Sequence, residues 1–201
     1  MKRLEFFFDV SSPWTYLAFM RIEAVAQAGG AELVYRPILV GGVFNAVNDT
    51  VYAARAHPNP VKQRYYLKDM QDWAGQVGVT IGQPPVFPVN SVKAMRGCFF
   101  AEAEGKLVPY ASALFEAYWG RLEDISQDAV LASVAEAVDL PVDAFFAAIA
   151  GDDLKQRLRA NTEELVARGG FGSPTMFVDG DDMYFGNDRL DLVRSALGRP
   201  A

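Results

Sequence analysis

Short apolar runs and longer helical periodicities divide the chain into three blocks. In the first block, residues 4–10 form an apolar run typical of a buried strand. Residues 13–28 then repeat apolar side chains at helical spacing, and residues 32–35 form a second short apolar run. The first forty residues therefore predict a β-α-β unit with parallel strands and a right-handed crossover.

The middle block is dominated by helical spacing. Residues 40–61 contain many glycine, asparagine and proline residues, so they predict a long irregular segment with one helical turn near the alanines at 53–56. A proline-containing loop is predicted over residues 82–90. The predicted helices cover residues 61–77, 91–104, 109–119, 127–138, 142–150 and 153–168.

The last block returns to strands. Residues 175–178 and 183–185 predict two strands joined by a hairpin turn, and residues 188–197 predict a final helix. Without the helical block, the element order is that of a thioredoxin-like domain. The pattern therefore predicts an α/β chain with a thioredoxin-like fold and a large all-helical insertion. We expect residues 1–60 and 151–201 to form the thioredoxin-like domain and residues 61–150 to form the inserted helical domain.

Composition narrows the classes of function. The chain has 201 residues, of which 51% are apolar, and its net charge of −6 argues against a nucleic-acid partner. A single cysteine, Cys98, excludes an intrachain disulfide or a CxxC pair, and a single histidine, His57, leaves no histidine-based metal cluster. No apolar run is long enough to span a membrane, and Asp9 interrupts the first one, so we expect a cytoplasmic protein without a membrane partner.

The first candidate for chemistry lies where the first strand passes into the first helix. Ser12 can cap this helix, and Pro13 suits its first position, where the missing N–H has no intrahelical partner. The N-terminus of a helix is a favourable place for an anion, including a thiolate. The simpler interpretation is that Ser12 and Pro13 only begin the helix.

Two further junctions offer polar groups beside predicted elements. Pro174 directly precedes the third strand, and a cis bond after Ser173 would leave the backbone of Ser173 free to pair with a peptide-like ligand. Asn187 and Asp188 begin the final helix, where they can cap it or bind the carboxylate and ammonium of a ligand. The alternatives are an ordinary loop-ending proline and an ordinary helix cap.

These junctions together resemble one branch of the DsbA-like proteins, the branch that includes 2-hydroxychromene-2-carboxylate isomerases and kappa-class glutathione transferases. The resemblance covers nearly the whole chain, and its first and last stretches look closer to the isomerases. It is carried by residues 9–17, 36–37, 172–177 and 186–190, together with Lys62, Tyr65 and Asp69.

The resemblance implies a glutathione site where the thioredoxin-like and helical regions meet. The catalytic serine of the family immediately precedes the proline, so it corresponds to Ser12. The backbone of Ser173, before Pro174, would pair with the cysteine moiety of glutathione. Asn187 and Asp188 would bind its γ-glutamyl end.

The resemblance also implies contacts from the segment between the second strand and the helical block. The glycyl end of glutathione, or the substrate, would be contacted by Lys62 and by an asparagine of this segment. We expect this asparagine to be Asn48 rather than Asn45. Trp14 and Phe44 would line the pocket, although aromatic side chains more often belong to a core.

The implied activity is that of a glutathione-dependent isomerase. Its substrate would be 2-hydroxychromene-2-carboxylate or a related unsaturated oxo acid of aromatic degradation, isomerised by reversible addition of a thiolate. Relatives of this kind imply a homodimer with glutathione as cofactor and no metal. Two alternatives stay open: a kappa-class-like transferase, which leaves glutathione attached to an electrophile, and a non-catalytic thioredoxin-like binding module.

Overall fold

The structure is a computed structural model and describes residues 1–199. A four-stranded sheet has the order β2-β1-β3-β4. Strand β1 (Lys2–Phe8) pairs in parallel with β2 (Ala31–Pro37) and antiparallel with β3 (Thr175–Val178), which pairs antiparallel with β4 (Asp182–Phe185). The β-α-β unit and the C-terminal hairpin are therefore confirmed.

Helices make up most of the remaining chain. Their bounds are α1 Pro13–Ala28, α2 Val40–Val47, α3 Thr50–Ala56, α4 Pro60–Val77, α5 Val92–Ala103, α6 Leu107–Phe115, α7 Asp128–Ala137, α8 Val142–Ala150, α9 Asp152–Ala167 and α10 Leu190–Leu197. A π-helical turn, Glu116–Gly120, continues α6, and a 3₁₀ turn, Asn187–Arg189, precedes α10. In residues 1–199, no helix combines the length and the apolar character that crossing a membrane requires.

Alternate side chains of β1 face the two sides of the sheet, as the pleat requires. The rings of Phe6 and Phe8 contact Phe19 of α1, on the side where α1 and α10 pack together. Phe7 faces the opposite side, where α2 and α9 lie. The cluster on this second side consists of Phe7, Ile38, Val43, Leu165 and Phe177.

The expectation of an irregular segment over residues 40–61 is wrong, because this stretch forms α2 and α3. Val43 is fully buried in the second cluster. A Cβ atom at Gly42 would lie 3.2 Å from Cγ2 of Thr162, so glycine lets α2 approach α9 closely. Packing against α9 therefore outweighs the low helix propensity of the two glycines in α2. The division into residues 1–60 with 151–201 and residues 61–150 stays a prediction.

The buried carboxylate of Asp9 connects the end of β1 to other segments. Oδ1 accepts a hydrogen bond from the N–H of Ser11 at 2.9 Å. Oδ2 accepts from the N–H of Val40 at 2.8 Å and from the hydroxyl of Ser91 at 3.1 Å. Burial raises the pKa of Asp9, whereas these hydrogen bonds oppose the rise. Asp9 thus holds the starts of α2 and α5 against the segment that leads into α1.

A glycine allows close packing within the helical block. A Cβ atom at Gly97 of α5 would lie 2.7 Å from Cε2 of Phe145 and closer still to the hydroxyl of Tyr110. Both aromatic side chains are fully buried, so neither can move aside without disturbing its neighbours.

We expect Gly97→Ala to lower the free energy of unfolding by about 1–3 kcal/mol, because the added methyl group overpacks the core. Gly75→Ala is the matched control in α4, where an added Cβ meets no atom within 4 Å. That change should stabilise by about 0.5–1 kcal/mol through helix propensity. Urea unfolding measures both changes, and equal effects at the two sites would contradict the packing at Gly97.

The raised pKa of Asp9 predicts a specific dependence of stability on pH. Because the folded-state pKa lies above the unfolded value, the contribution of Asp9 to stability is fully present below that unfolded value. It is lost as the pH rises through the folded-state pKa. The free energy of unfolding of the wild type, relative to that of the non-titrating variant Asp9→Asn, should therefore fall as the pH rises above about 4, the pKa of an aspartate in the unfolded chain.

Urea unfolding of both proteins at several pH values measures this difference, in which the titration of all other groups cancels. A difference that stays constant or grows with rising pH would show that burial does not dominate the pKa of Asp9.

Candidate functional site

Ser12 lies at the N-terminus of α1 and is partly exposed. Its Oγ accepts a hydrogen bond from the N–H of Thr15 at 3.2 Å, which confirms the predicted helix cap. The same hydroxyl donates to the carbonyl oxygen of Ser173 at 3.2 Å. Ser12 therefore caps α1 and also reaches the loop before β3, so its proton is directed away from the helix.

The peptide bond between Ser173 and Pro174 is cis, as the sequence indicates. The Ser173 hydroxyl is paired with the Thr15 hydroxyl at 2.7 Å and accepts from the N–H of Asp9 at 3.1 Å. Within residues 1–199, the backbone N–H of Ser173 has no hydrogen-bond acceptor. The side chain of Ser173 thus anchors the loop, while its backbone keeps a free donor beside Ser12.

The third junction adjoins the other two. The N–H of Gly186 donates to the carbonyl oxygen of Pro174 at 3.0 Å, and the 3₁₀ turn that follows contacts α1. Asn187 is only 3% exposed, and its Nδ2 atom has no hydrogen-bond partner in the described part of the chain. Asp188 is exposed, and its carboxylate pairs with Arg189. A buried amide without a partner is a candidate ligand donor, because leaving it unpaired is unfavourable.

Asn48 lies at the end of α2 and adjoins the loop before β3. Its Nδ2 atom donates to the carbonyl oxygen of Phe171 at 3.1 Å, and its Oδ1 atom accepts from the hydroxyl of Thr50 at 3.1 Å. Phe171 precedes Ser173 by two residues. Asn48 is therefore close to the site, although its side chain is already engaged in hydrogen bonds.

Trp14, in the first turn of α1, contacts the first half of α4, which carries Lys62. The half-buried Trp14 ring lies edge-on to the ring of Tyr66, with the centroids 5.4 Å apart. Lys62 is exposed and precedes Tyr66 by one helical turn, so the two share a face of α4. In the described chain, the Lys62 ammonium makes no ion pair, and no contact joins it to Ser12.

Cys98 is buried, as the sequence indicates, and burial raises the pKa of its thiol well above the usual value. A buried thiol with a raised pKa is a poor nucleophile at neutral pH. A thiolate at the site would therefore have to come from a ligand.

An unexpected feature of the site is the position of Arg55, near the end of α3. Its guanidinium carbon lies 5.5 Å from the centroid of the Phe44 ring and 5.2 Å from that of Phe87. The sequence carries a weak signal for it, since Arg55 is the lone lysine or arginine between residues 37 and 61. Its aromatic contacts come from distant segments and have no sequence signature.

Comparison with known proteins shows the family to which the chain belongs. The family model of the DSBA-like thioredoxin domain matches residues 3–198. A 2-hydroxychromene-2-carboxylate isomerase from Pseudomonas putida is 34% identical, over 98% of this chain and 94% of its own. Glutathione S-transferase kappa 1 from Rattus norvegicus is 27% identical, over 97% of this chain and 90% of its own.

A solved structure of a 2-hydroxychromene-2-carboxylate isomerase superposes with a TM-score of 0.82 at 31% identity. The match covers 98% of this chain and 94% of that one. These matches confirm the expected thioredoxin-like fold with its helical insertion. The chain therefore belongs to the DSBA-like thioredoxin family, in the branch that contains the 2-hydroxychromene-2-carboxylate isomerases and the kappa-class glutathione S-transferases.

Proposed function

We propose that this protein is a glutathione-dependent isomerase of 2-hydroxychromene-2-carboxylate or of a related unsaturated oxo acid from aromatic degradation. The observation that carries the proposal is the position of the Ser12 hydroxyl. It lies at the positive end of α1 and beside the cis bond before Pro174. The full-length similarity to isomerases of this name supports the choice of reaction.

The residues present fit glutathione. The free N–H of Ser173 would pair with the peptide backbone of its cysteine, and the unpartnered Nδ2 of Asn187 would donate to its γ-glutamyl carboxylate. The carboxylate of Asp188 would accept from the γ-glutamyl ammonium. Lys62 and Asn48 would contact the glycyl end or the substrate. Each of these groups offers the charge or donor that its partner requires.

Bound glutathione would supply a thiolate that adds reversibly to a conjugated double bond and so allows rotation about it. The task of Ser12 is to turn its hydroxyl from the Ser173 carbonyl and donate to the sulfur. A hydrogen bond to a charged group contributes roughly 1.5–3 kcal/mol, and the dipole of α1 adds about 0.3–1 kcal/mol. Together they would lower the thiol pKa from about 8.5 by roughly 1.5–3. Because the Ser12 hydroxyl gives up its hydrogen bond to the Ser173 carbonyl, the decrease in the thiol pKa should lie near the lower end of that range.

Other side chains hold Ser12 in place or shape the space for the substrate. Asp9 holds the N–H of Ser11 and thereby fixes the segment that presents Ser12. Trp14 and Tyr66 form an aromatic wall beside it, suited to the flat ring of an aromatic substrate. Ser12 is a hydrogen-bond donor to sulfur here and not a nucleophile, since in the described chain no hydrogen bond joins its hydroxyl to the one histidine, His57.

A kappa-class-like transferase is the second candidate, favoured by the 27% identity to glutathione S-transferase kappa 1. The homodimer and the cytoplasmic location stay predictions. The exposed side chains of Val61 and Tyr65 in α4 provide a candidate surface for the dimer, because large apolar side chains grouped on a surface often mark contacts.

Product analysis distinguishes the candidate reactions. We expect incubation with glutathione and 2-hydroxychromene-2-carboxylate to yield the isomeric unsaturated oxo acid while the glutathione concentration stays constant. Chromatography with mass spectrometry measures both. A glutathione conjugate that accumulates in proportion to enzyme would favour the transferase. Failure of the protein to bind glutathione at all would favour the binding module.

Ser12→Ala should raise the pH midpoint of kcat/KM by roughly 1–2 pH units, because the thiolate loses its hydroxyl donor. The loss of the helix cap should also lower the free energy of unfolding by about 1 kcal/mol, which leaves the fold intact. Ser11→Ala is the matched control, since the Ser11 hydroxyl neither caps α1 nor bonds to Ser173.

Initial rates across pH measure the midpoint for the wild type and both variants. An unchanged midpoint in Ser12→Ala, or an equal shift in Ser11→Ala, would refute the role assigned to Ser12.

A further inference from the structure

Arg55 is a cation that lies over aromatic rings without an acid beside it. Its guanidinium lies over Phe44 of α2 and Phe87 of the loop between α4 and α5. Among the described residues, no carboxylate lies within ion-pair distance of Arg55, and its guanidinium makes no hydrogen bond. By contrast, Arg157 and Arg168 also lie over rings, and each pairs with a glutamate.

The first ring connects Arg55 to the loop before β3. A Cβ atom at Gly172 would lie 3.8 Å from Cε1 of Phe44, so the Phe44 ring packs directly against this glycine. Gly172 precedes Ser173, whose carbonyl accepts the hydrogen bond of Ser12. Phe44 therefore contacts both Arg55 and the glycine that precedes Ser173.

The second ring connects Arg55 to the segment before α1. The centroid of Phe87 lies 6.1 Å from that of Trp119. The Nε1 atom of the buried Trp119 donates to the carbonyl oxygen of Val10 at 2.9 Å. Val10 precedes Ser12 by two residues. This series of contacts from Arg55 therefore also ends beside the candidate catalytic serine.

A third connection runs through α4. Burial raises the pKa of Tyr66, whereas the positive charge of Arg55 lowers it. The Tyr66 ring contacts Trp14 in the first turn of α1. Two aromatic contacts, with Phe44 and Phe87, therefore connect Arg55 to the surroundings of Ser12, and its charge also acts on Tyr66 of α4.

We propose that Arg55 binds the carboxylate of the substrate and so selects unsaturated acids over neutral electrophiles, an inference that rests on the proposed function. The guanidinium is planar, always charged and able to donate two parallel hydrogen bonds to a carboxylate. Contact with the rings of Phe44 and Phe87 holds the guanidinium in place, and in the described chain its N–H donors have no protein acceptor. Lys62, which lacks such ring contacts, is then left to the glycyl end of glutathione.

The test compares an acid with its neutral ester. For 2-hydroxychromene-2-carboxylate, Arg55→Gln should lower kcat/KM by roughly 10- to 100-fold, the effect of losing a charged bidentate hydrogen bond. For the methyl ester of the same acid, the loss should stay within about 3-fold, since no charge is left to recognise. The Kd of glutathione, measured by calorimetry, should be unchanged. Arg55→Lys should recover part of the activity, because it restores the charge without the bidentate geometry.

Arg64→Gln is the matched control. Arg64 is an exposed cation of α4, and in the described chain its guanidinium lies over no aromatic ring. The variant should keep both the wild-type ratio of acid to ester turnover and the wild-type affinity for glutathione. If Arg64→Gln changed that ratio as much as Arg55→Gln, the effect would be one of net charge, and the assignment of Arg55 would be wrong.

The possible failures are distinguishable. Equal losses for acid and ester with a weaker Kd for glutathione would place Arg55 at the glutathione site and overturn the inference, while the proposed function would stand. A wild-type protein that neither binds glutathione nor isomerises the acid would overturn both.

Discussion

The hydrogen bonds to the Asp9 carboxylate are the constraint on which the candidate site depends. They come from Ser11, Val40 and Ser91, so one buried group fixes the approach to α1 and the starts of α2 and α5. A buried carboxylate without partners would be strongly unfavourable, and three donors offset part of its lost hydration. The segment that carries Ser12 is consequently held between the sheet and the helical block.

Around this constraint, an acidic chain gathers several hydrogen-bond donors and cations. The net charge is −6, yet the groups near Ser12 are the N-terminus of α1, the free N–H of Ser173 and the amide of Asn187. Arg55 and Lys62 add positive charge without neutralising partners in the described chain. Dipoles and unpaired cations are suited to a ligand that carries several anionic groups, as a thiolate peptide and an unsaturated acid do.

The sequence predicted the structure correctly where a local preference, such as a helix cap or a helical periodicity, decided it. The cap at Ser12, the proline before β3 and the periodicity of α4 to α9 could all be read directly. Helices α2 and α3 could not, because glycine and alanine carry weak preferences and the burial of Val43 against α9 decides the outcome. The surroundings of Arg55 were also hidden, since Phe44 and Phe87 reach it from segments far apart in the chain.

The central claim is that this site converts the thiol of glutathione into a thiolate. Its most direct test is the ultraviolet absorbance of the thiolate, recorded while the wild-type protein saturated with glutathione is titrated across pH. Free glutathione serves as the reference. The claim predicts that bound glutathione ionises near or below neutral pH, well under the value of about 8.5 for a free thiol. A bound thiol that ionises at the same pH as free glutathione would contradict it.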